Sequence, residues 1–137
     1  MHYRLAILTT EINPSTIQAM VKAAQLQAKR LKADIVSITK TTGCLDMPVI
    51  AKKILLQPEV DGVVVLGAVA QGETGHDELV VNAMTNAIIQ LSIQYDKPVG
   101  FGVIGPKAKR EHFASRTQEY GARAVEAVVH SLKLLRK

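Results

Sequence analysis

Val63-Val-Val-Leu-Gly-Ala-Val-Ala-Gln-Gly-Glu-Thr-Gly-His-Asp-Glu-Leu-Val80 is the stretch on which the reading of this chain turns. Its first part is an apolar, mostly β-branched run that ends in Gly67. A run of this length and composition reads as a strand buried on both faces, as in a parallel sheet. A glycine-rich polar segment follows, and then a periodic apolar pattern. Open α/β sheets bind ligands outside the carboxyl ends of their strands, so the segment after Gly67 is the candidate site.

The flanking segments repeat the same alternation. Tyr3 to Thr9 reads as a first strand. Asn13-Pro14 reads as a helix start, an N-cap followed by proline at the first helical position. Apolar residues at Ile17, Met20, Val21, Ala24, Leu26, Ala28 and Leu31 give residues 14 to 33 a helical spacing. Asp34 to Thr39 is a second strand, more polar and alternating, as at a sheet edge. Pro48 opens a helix that runs to about residue 56, where Gln57-Pro58 stops it. The Asp61-Gly62 turn leads into the central strand. A third helix covers about Asp77 to Tyr95, a fourth strand Pro98 to Ile104, and Gly105-Pro106 ends that strand. The chain is helical from Lys109 onward, with Gly121 dividing a short helix from a longer one. Four strand–helix pairs predict a single α/β domain over residues 1–137, with a mainly parallel sheet and right-handed crossovers.

Composition narrows the function. A 137-residue chain with 47% hydrophobic residues can bury a real core. The net charge of +5 is spread along the chain, and phenylalanine and tyrosine together number five. Stacking platforms for nucleic acid need more rings than that, so an anionic small substrate or plain solubility explains the charge better. The single Cys44 excludes an intrachain disulfide and a multi-cysteine metal site. His76-Asp77, His112 and His130 lack metal-ligand spacing, so no metal is assigned. The expected location is cytoplasmic, because neither a signal sequence nor an apolar run long enough to span a membrane is evident.

In a parallel sheet the segments after each strand converge on one edge. Glu11-Ile12-Asn13, Thr42 to Asp46, Gly67 to His76 and Ile104-Gly105-Pro106 would therefore lie together, with Glu11, Asn13, Asp46 and His76 as polar groups beside free backbone amides. Gly72-Glu73-Thr74-Gly75 before a helix suits an anion, since the first helical amides have no internal partners. A loop that merely turns the chain fits this spacing equally well. His76 would serve proton transfer near neutrality, and a surface histidine beside a helix start is the plain alternative. Arg116 can close on an anion with its bidentate fork, although a solvated arginine is the default. Cys44 reads as a small hydrophobe beside Gly43.

Taken together, Leu66-Gly-Ala-Val-Ala-Gln-Gly-Glu-Thr-Gly-His-Asp77, Gly43-Cys-Leu-Asp-Met-Pro48, Asp96-Lys-Pro-Val-Gly-Phe-Gly-Val103, and Arg116 followed by Glu119-Tyr-Gly-Ala-Arg-Ala-Val-Glu-Ala127 resemble the 6,7-dimethyl-8-ribityllumazine synthases, especially the short archaeal forms. The resemblance covers essentially the whole chain. It implies a three-layer α/β/α sandwich around a four-stranded parallel, flavodoxin-like sheet. It also implies a cofactor-independent transferase of riboflavin biosynthesis that joins 5-amino-6-(D-ribitylamino)uracil to 3,4-dihydroxy-2-butanone 4-phosphate, with loss of phosphate and water. By the same resemblance His76 handles the proton, and Glu73 and Thr74 hold the phosphate. Asp46, with Gly43, Cys44 and Leu45, binds the ribityl chain. Gly67, Ala68 and Val69 receive the chain and ring, Ile12 and Asn13 border the ring, and Phe101 and Arg116 reach in from a neighbouring subunit. The implied partner is thus the protein itself, as a homopentamer or a shell of twelve pentamers, with no nucleic acid and no membrane.

Three positions depart from the family pattern. Ile12 stands where an aromatic residue stacks on the pyrimidine, Thr41-Thr42-Gly43 where Val-Pro-Gly is usual, and Tyr120 where a basic residue follows the phosphate arginine. Ile12 offers no π face, so weaker ring binding is expected. Two related readings share the fold: an archaeal-type riboflavin synthase, which has no phosphate substrate, and a non-catalytic flavin- or lumazine-binding shell protein.

Overall fold

The buried run at Val63 becomes the third of four strands in the computed structural model, which describes residues 2–137. In chain order the elements are β1 (Tyr3–Thr10), α1 (Pro14–Arg30), β2 (Ala33–Thr41), α2 (Met47–Leu55), β3 (Gly62–Ala70), α3 (His76–Tyr95), β4 (Val99–Ala108) and α4 (Thr117–Leu135). Short 3-10 turns cover Cys44–Asp46, Arg110–His112 and Ala114–Arg116. The sheet order is β2-β1-β3-β4 with every pair parallel. All four carboxyl ends therefore share one edge, and the order reverses direction between β1 and β3.

Side chains alternate across the two faces, as the two-residue period of a strand requires. Leu5 and Ile7 of β1 and Val64, Leu66 and Ala68 of β3 pack with Ile17 and Met20 of α1 and Val125 and Val128 of α4. Ala6 and Leu8, with Val63 and Val65, face Met47 and Ala51 of α2 and Val80, Met84 and Ile88 of α3. The result is the expected three-layer α/β/α arrangement with a four-stranded parallel sheet. Among the described residues, no helix is long and apolar enough to cross a membrane.

Two expectations are corrected, and a third, the N-cap at Asn13, holds in position but not in its side-chain bond. Gly121 does not divide the last helix; α4 runs unbroken through it. A Cβ at Gly121 would lie 2.6 Å from the Met20 carbonyl oxygen, so the glycine lets α1 and α4 meet backbone to backbone. Gly105-Pro106 does not end the fourth strand, which continues to Ala108. Asn13 holds the N-cap position of α1 in the left-handed region (φ 57°), but its side chain makes no capping bond. It spans to another strand instead.

At the amino edge of the sheet, opposite those loops, Asp61 ties three elements. Its carboxylate accepts the Arg4 backbone N–H at 2.7 Å and the Arg136 guanidinium at 2.7 Å, and the Asp61 N–H donates to the Arg4 carbonyl at 2.8 Å. Arg136 also lies 5.4 Å from the centroid of the Tyr3 ring. Burial pushes the Asp61 carboxyl up, but the bonds from Arg136 and Arg4 outweigh it and hold the group below its ordinary value. A carboxyl lowered in the folded state stabilises the fold above the unfolded pKa, near about 3.9. That contribution is lost as pH falls through the folded value.

The wild-type melting temperature should therefore fall with acidification below about pH 4, and Asp61→Asn should be less stable at neutrality with a flatter acid limb; parallel acid limbs in a thermal-melt series would contradict the linkage. Near the start of β4, at the same end of the sheet, a Cβ at Gly100 would sit 2.1 Å from the Ala124 carbonyl oxygen. Gly100→Ala should then cost about 3 kcal/mol, measurable by urea unfolding.

Candidate active site

The carboxyl edge gathers the segments that the sequence singles out. Asn13 follows β1, and its Nδ2 donates to the Ala68 carbonyl of β3 at 2.8 Å. This bond crosses the point where strand order reverses, the usual ligand crevice of an open α/β sheet. A left-handed backbone at position 13 suits asparagine better than most residues, and this conformation accompanies the side chain's reach across the crevice. Ile12 is 44% exposed beside it, an apolar surface left open next to a polar crevice.

The turn after β2 is fixed by its own hydrogen bonds. Thr41 Oγ1 donates to the Gly43 carbonyl at 2.7 Å, and the Gly43 N–H donates to Asp46 Oδ2 at 3.0 Å. The Glu11 N–H donates to the Thr41 carbonyl at 2.9 Å, which joins this turn to the end of β1. Leu45 and Asp46 are exposed, whereas Cys44 is buried. Burial raises the Cys44 thiol, and the nearby Asp46 carboxylate raises it further. Cys44 is thus a packed thiol next to Gly67: a Cβ at Gly67 would stand 4.0 Å from its sulfur. A Cβ at Gly43 would approach Ile12 Cδ1 at 3.9 Å. Ile12, Asn13, Gly43–Asp46 and Gly67–Val69 therefore form one contiguous wall.

Beyond Val69 the chain crosses an open loop, Gln71–Gly75, and enters α3 at His76. Gly72, Glu73, Thr74, Gly75 and His76 are all exposed. Gly75 adopts φ 70°, which turns the chain into the helix. The amides that open a 20-residue helix face this loop, so it offers both free N–H groups and the positive end of the helix dipole. Among the described residues, no group of three or more histidine, cysteine, aspartate or glutamate side chains is arranged to hold a metal.

Two candidate residues are not brought into this wall. Phe101 lies on the far edge of β4, where it lines a cavity of about 360 Å³ with Tyr120 and Arg123. Arg116 sits at the start of α4, exposed, and its guanidinium has no hydrogen bond or ion pair among the described residues. Neither is bonded to Glu73, Thr74 or His76 within the chain.

Asp77 is the residue that sequence reasoning missed. Asp77 is 3% exposed, a charged residue in the buried stripe of α3. The spacing to Val80, Val81 and Met84 carried that signal, because i+3, i+4 and i+7 share a helix face with position 77. Arg123 pairs with Glu119 at 2.9 Å one turn away, a spacing that reads only as surface charge.

The chain matches a family model described as 6,7-dimethyl-8-ribityllumazine synthase over residues 2–136. A 6,7-dimethyl-8-ribityllumazine synthase of Saccharolobus islandicus (strain L.S.2.15 / Lassen #1) is 41% identical over 134 residues, 98% of this chain and 87% of that protein. The protein of the same description from Saccharolobus solfataricus is 40% identical over the same shares. That from Pyrobaculum aerophilum is 44% identical over 126 residues, 92% of this chain and 84% of the relative.

Proposed function

The chain belongs to the 6,7-dimethyl-8-ribityllumazine synthase family, and from that membership we propose that it condenses 5-amino-6-(D-ribitylamino)uracil with 3,4-dihydroxy-2-butanone 4-phosphate at the carboxyl edge of its sheet. The observation that carries this reading is the contiguous wall of Ile12, Asn13, Gly43–Asp46 and Gly67–Val69 beside an amide-rich loop at the start of α3. One half suits a polyhydroxylated chain and a flat ring; the other suits a phosphate. Few ligands need both.

In this reading the ribityl hydroxyls bond to Asp46 and to the backbone around Gly43–Leu45. The pyrimidine lies across Gly67–Val69 and against Ile12. The phosphate of the second substrate is held by the Glu73 and Thr74 amides, the Thr74 hydroxyl and the opening turn of α3. The 5-amino nitrogen attacks the ketone carbonyl to give an imine with loss of water. Phosphate leaves as a proton is removed from the adjacent carbon, the resulting enol takes up a proton at its terminal carbon to become a methyl ketone, and the ribitylamino nitrogen adds to that carbonyl and expels a second water to close the ring. His76, exposed at the first helical position, carries protons for these steps. Donors already aimed at the departing phosphate stabilise its charge without reorganisation.

Members of this family are oligomers, and we assign the missing half of the site to a neighbouring subunit in a homopentamer, alone or built into a shell of twelve pentamers. Support comes from Arg116, an exposed guanidinium with no hydrogen bond or ion pair among the described residues, and from Phe101 on an unpaired strand edge. The exposed Leu79, Ile89 and Ile93 of α3 add an apolar face suited to association. Light scattering distinguishes a lone pentamer from a shell.

Mixing both substrates with the protein should yield lumazine absorbance and phosphate in equal amounts; background rates alone would refute the assignment. His76→Ala should lower kcat by about 10²–10⁴ without changing assembly. Arg116→Ala should raise the KM for the phosphorylated substrate by about 10–100-fold, the loss of a charge-assisted bond worth about 1.5–3 kcal/mol. Ile12→Phe should lower the KM for the ribityl substrate by about three- to tenfold, because a stacked ring is worth about 0.5–1.5 kcal/mol.

A further inference from the structure

The register between β3 and β4 breaks where the site begins. Ala68 is opposite Ile104 and Ala70 is opposite Ala108, so Val69 alone faces three residues, Gly105 to Lys107. Such bulges bend a strand and redirect its groups, and they concentrate beside active sites. Here Gly105 takes φ 121° and Lys107 φ 66°. A Cβ at Gly105 would stand 2.7 Å from the Val69 carbonyl oxygen, so the bulge lies tightly over the end of β3.

Two consecutive residues of the bulged strand hold the two ends of the open loop. The Gln71 N–H, where the loop begins, donates to the Ala108 carbonyl at 2.7 Å. Lys107 N–H donates to Asp77 Oδ2 at 2.8 Å, where the loop has just entered α3. A peripheral pair, Lys107 Nζ with Glu78 Oε1 at 3.4 Å, lies outside this frame and is largely exposed. Asp77 is the buried member: its other oxygen, Oδ1, is sealed from solvent and has no hydrogen-bond partner among the described residues. A buried carboxylate with an unsatisfied oxygen costs free energy that a plain packing residue would not. A residue placed at such a cost is a candidate for a role other than stability.

Resting on the functional reading above, we propose that Asp77 is a positioning residue: through Lys107 it clamps the Gln71–Gly75 loop across the β4 bulge, so that the loop amides and His76 are set for a phosphate before one arrives. Asp77 touches neither substrate. It fixes the span between the two loop ends, and a small change in that span misaligns several donors at once.

The test compares Asp77→Ala with Asp77→Asn, whose side-chain oxygen can still accept the Lys107 N–H. With both substrates, Asp77→Ala should raise the KM for the phosphorylated substrate about tenfold while the KM for the ribityl substrate stays within twofold; Asp77→Asn should stay near wild type in both. Calorimetry with inorganic phosphate should show the same tenfold weakening for the alanine variant alone. Equal rises in both KM values, unchanged phosphate affinity in a folded Asp77→Ala protein, or an asparagine variant as impaired as alanine would each overturn the clamp. If Asp77→Ala does not fold, hydrogen exchange on the wild type decides: inorganic phosphate should slow the Gln71 and Lys107 amides together. Protection of Glu73 and Thr74 without any change at Lys107 would overturn the proposal. A wild type that binds phosphate in this way yet forms no lumazine would refute the synthase reading and leave the clamp standing.

Discussion

The rest of this structure follows from the burial of β3. Its residues from Gly62 through Ala68 are buried, and they carry no polar side chain that could satisfy a neighbour. Buried backbone amides and carbonyls must be paired, so β3 needs a strand on each side, and β1 and β4 supply them. Its two apolar faces need two covering layers, which α1 with α4 and α2 with α3 provide. Parallel pairing then requires every connection to cross a face of the sheet. All four strands consequently point their carboxyl ends the same way. The site is a by-product of that constraint: loops with no contact along the sequence meet at one edge because the central strand cannot be left uncovered.

Most of this was legible in the sequence where a local pattern and a tertiary role coincide. The β-branched run at Val63–Val65 reads as buried strand and is one. The helical spacing of Ile17, Met20 and Ala24 marks residues that are indeed core. Legibility failed where a residue with a strong local meaning is used at long range. Gly105-Pro106 reads as a terminator, but the pair forms a bulge within a continuing strand. Gly121 reads as a break, but what it permits is contact with the Met20 backbone. Asn13 reads as a cap, but its side chain bonds to Ala68. In each case the neighbour that redefines the residue is distant in sequence, and no periodicity encodes it.

The candidate site divides along a similar line. Topology alone brings Ile12, Asn13, Gly43–Asp46 and Gly67–Val69 together, so a correct reading of the strands is enough to predict their meeting. Phe101 and Arg116 remain apart from that wall within one chain, and nothing intrachain could have linked them to it. Asp77 is a third kind of case. Its charge in an apolar stripe was visible, yet its partner is a backbone amide thirty residues away, and a main-chain donor leaves no mark in a sequence.

The tie of Arg4, Asp61 and Arg136 lies at the opposite edge from the loops, and the separation has an evolutionary consequence. Lineages adapting to acid or heat can retune that edge through charge substitutions that never meet substrate. Lineages shifting specificity can vary the loops without loosening the strand starts. The two kinds of inherited change draw on different residues, and selection can act on each without forfeiting gains made in the other.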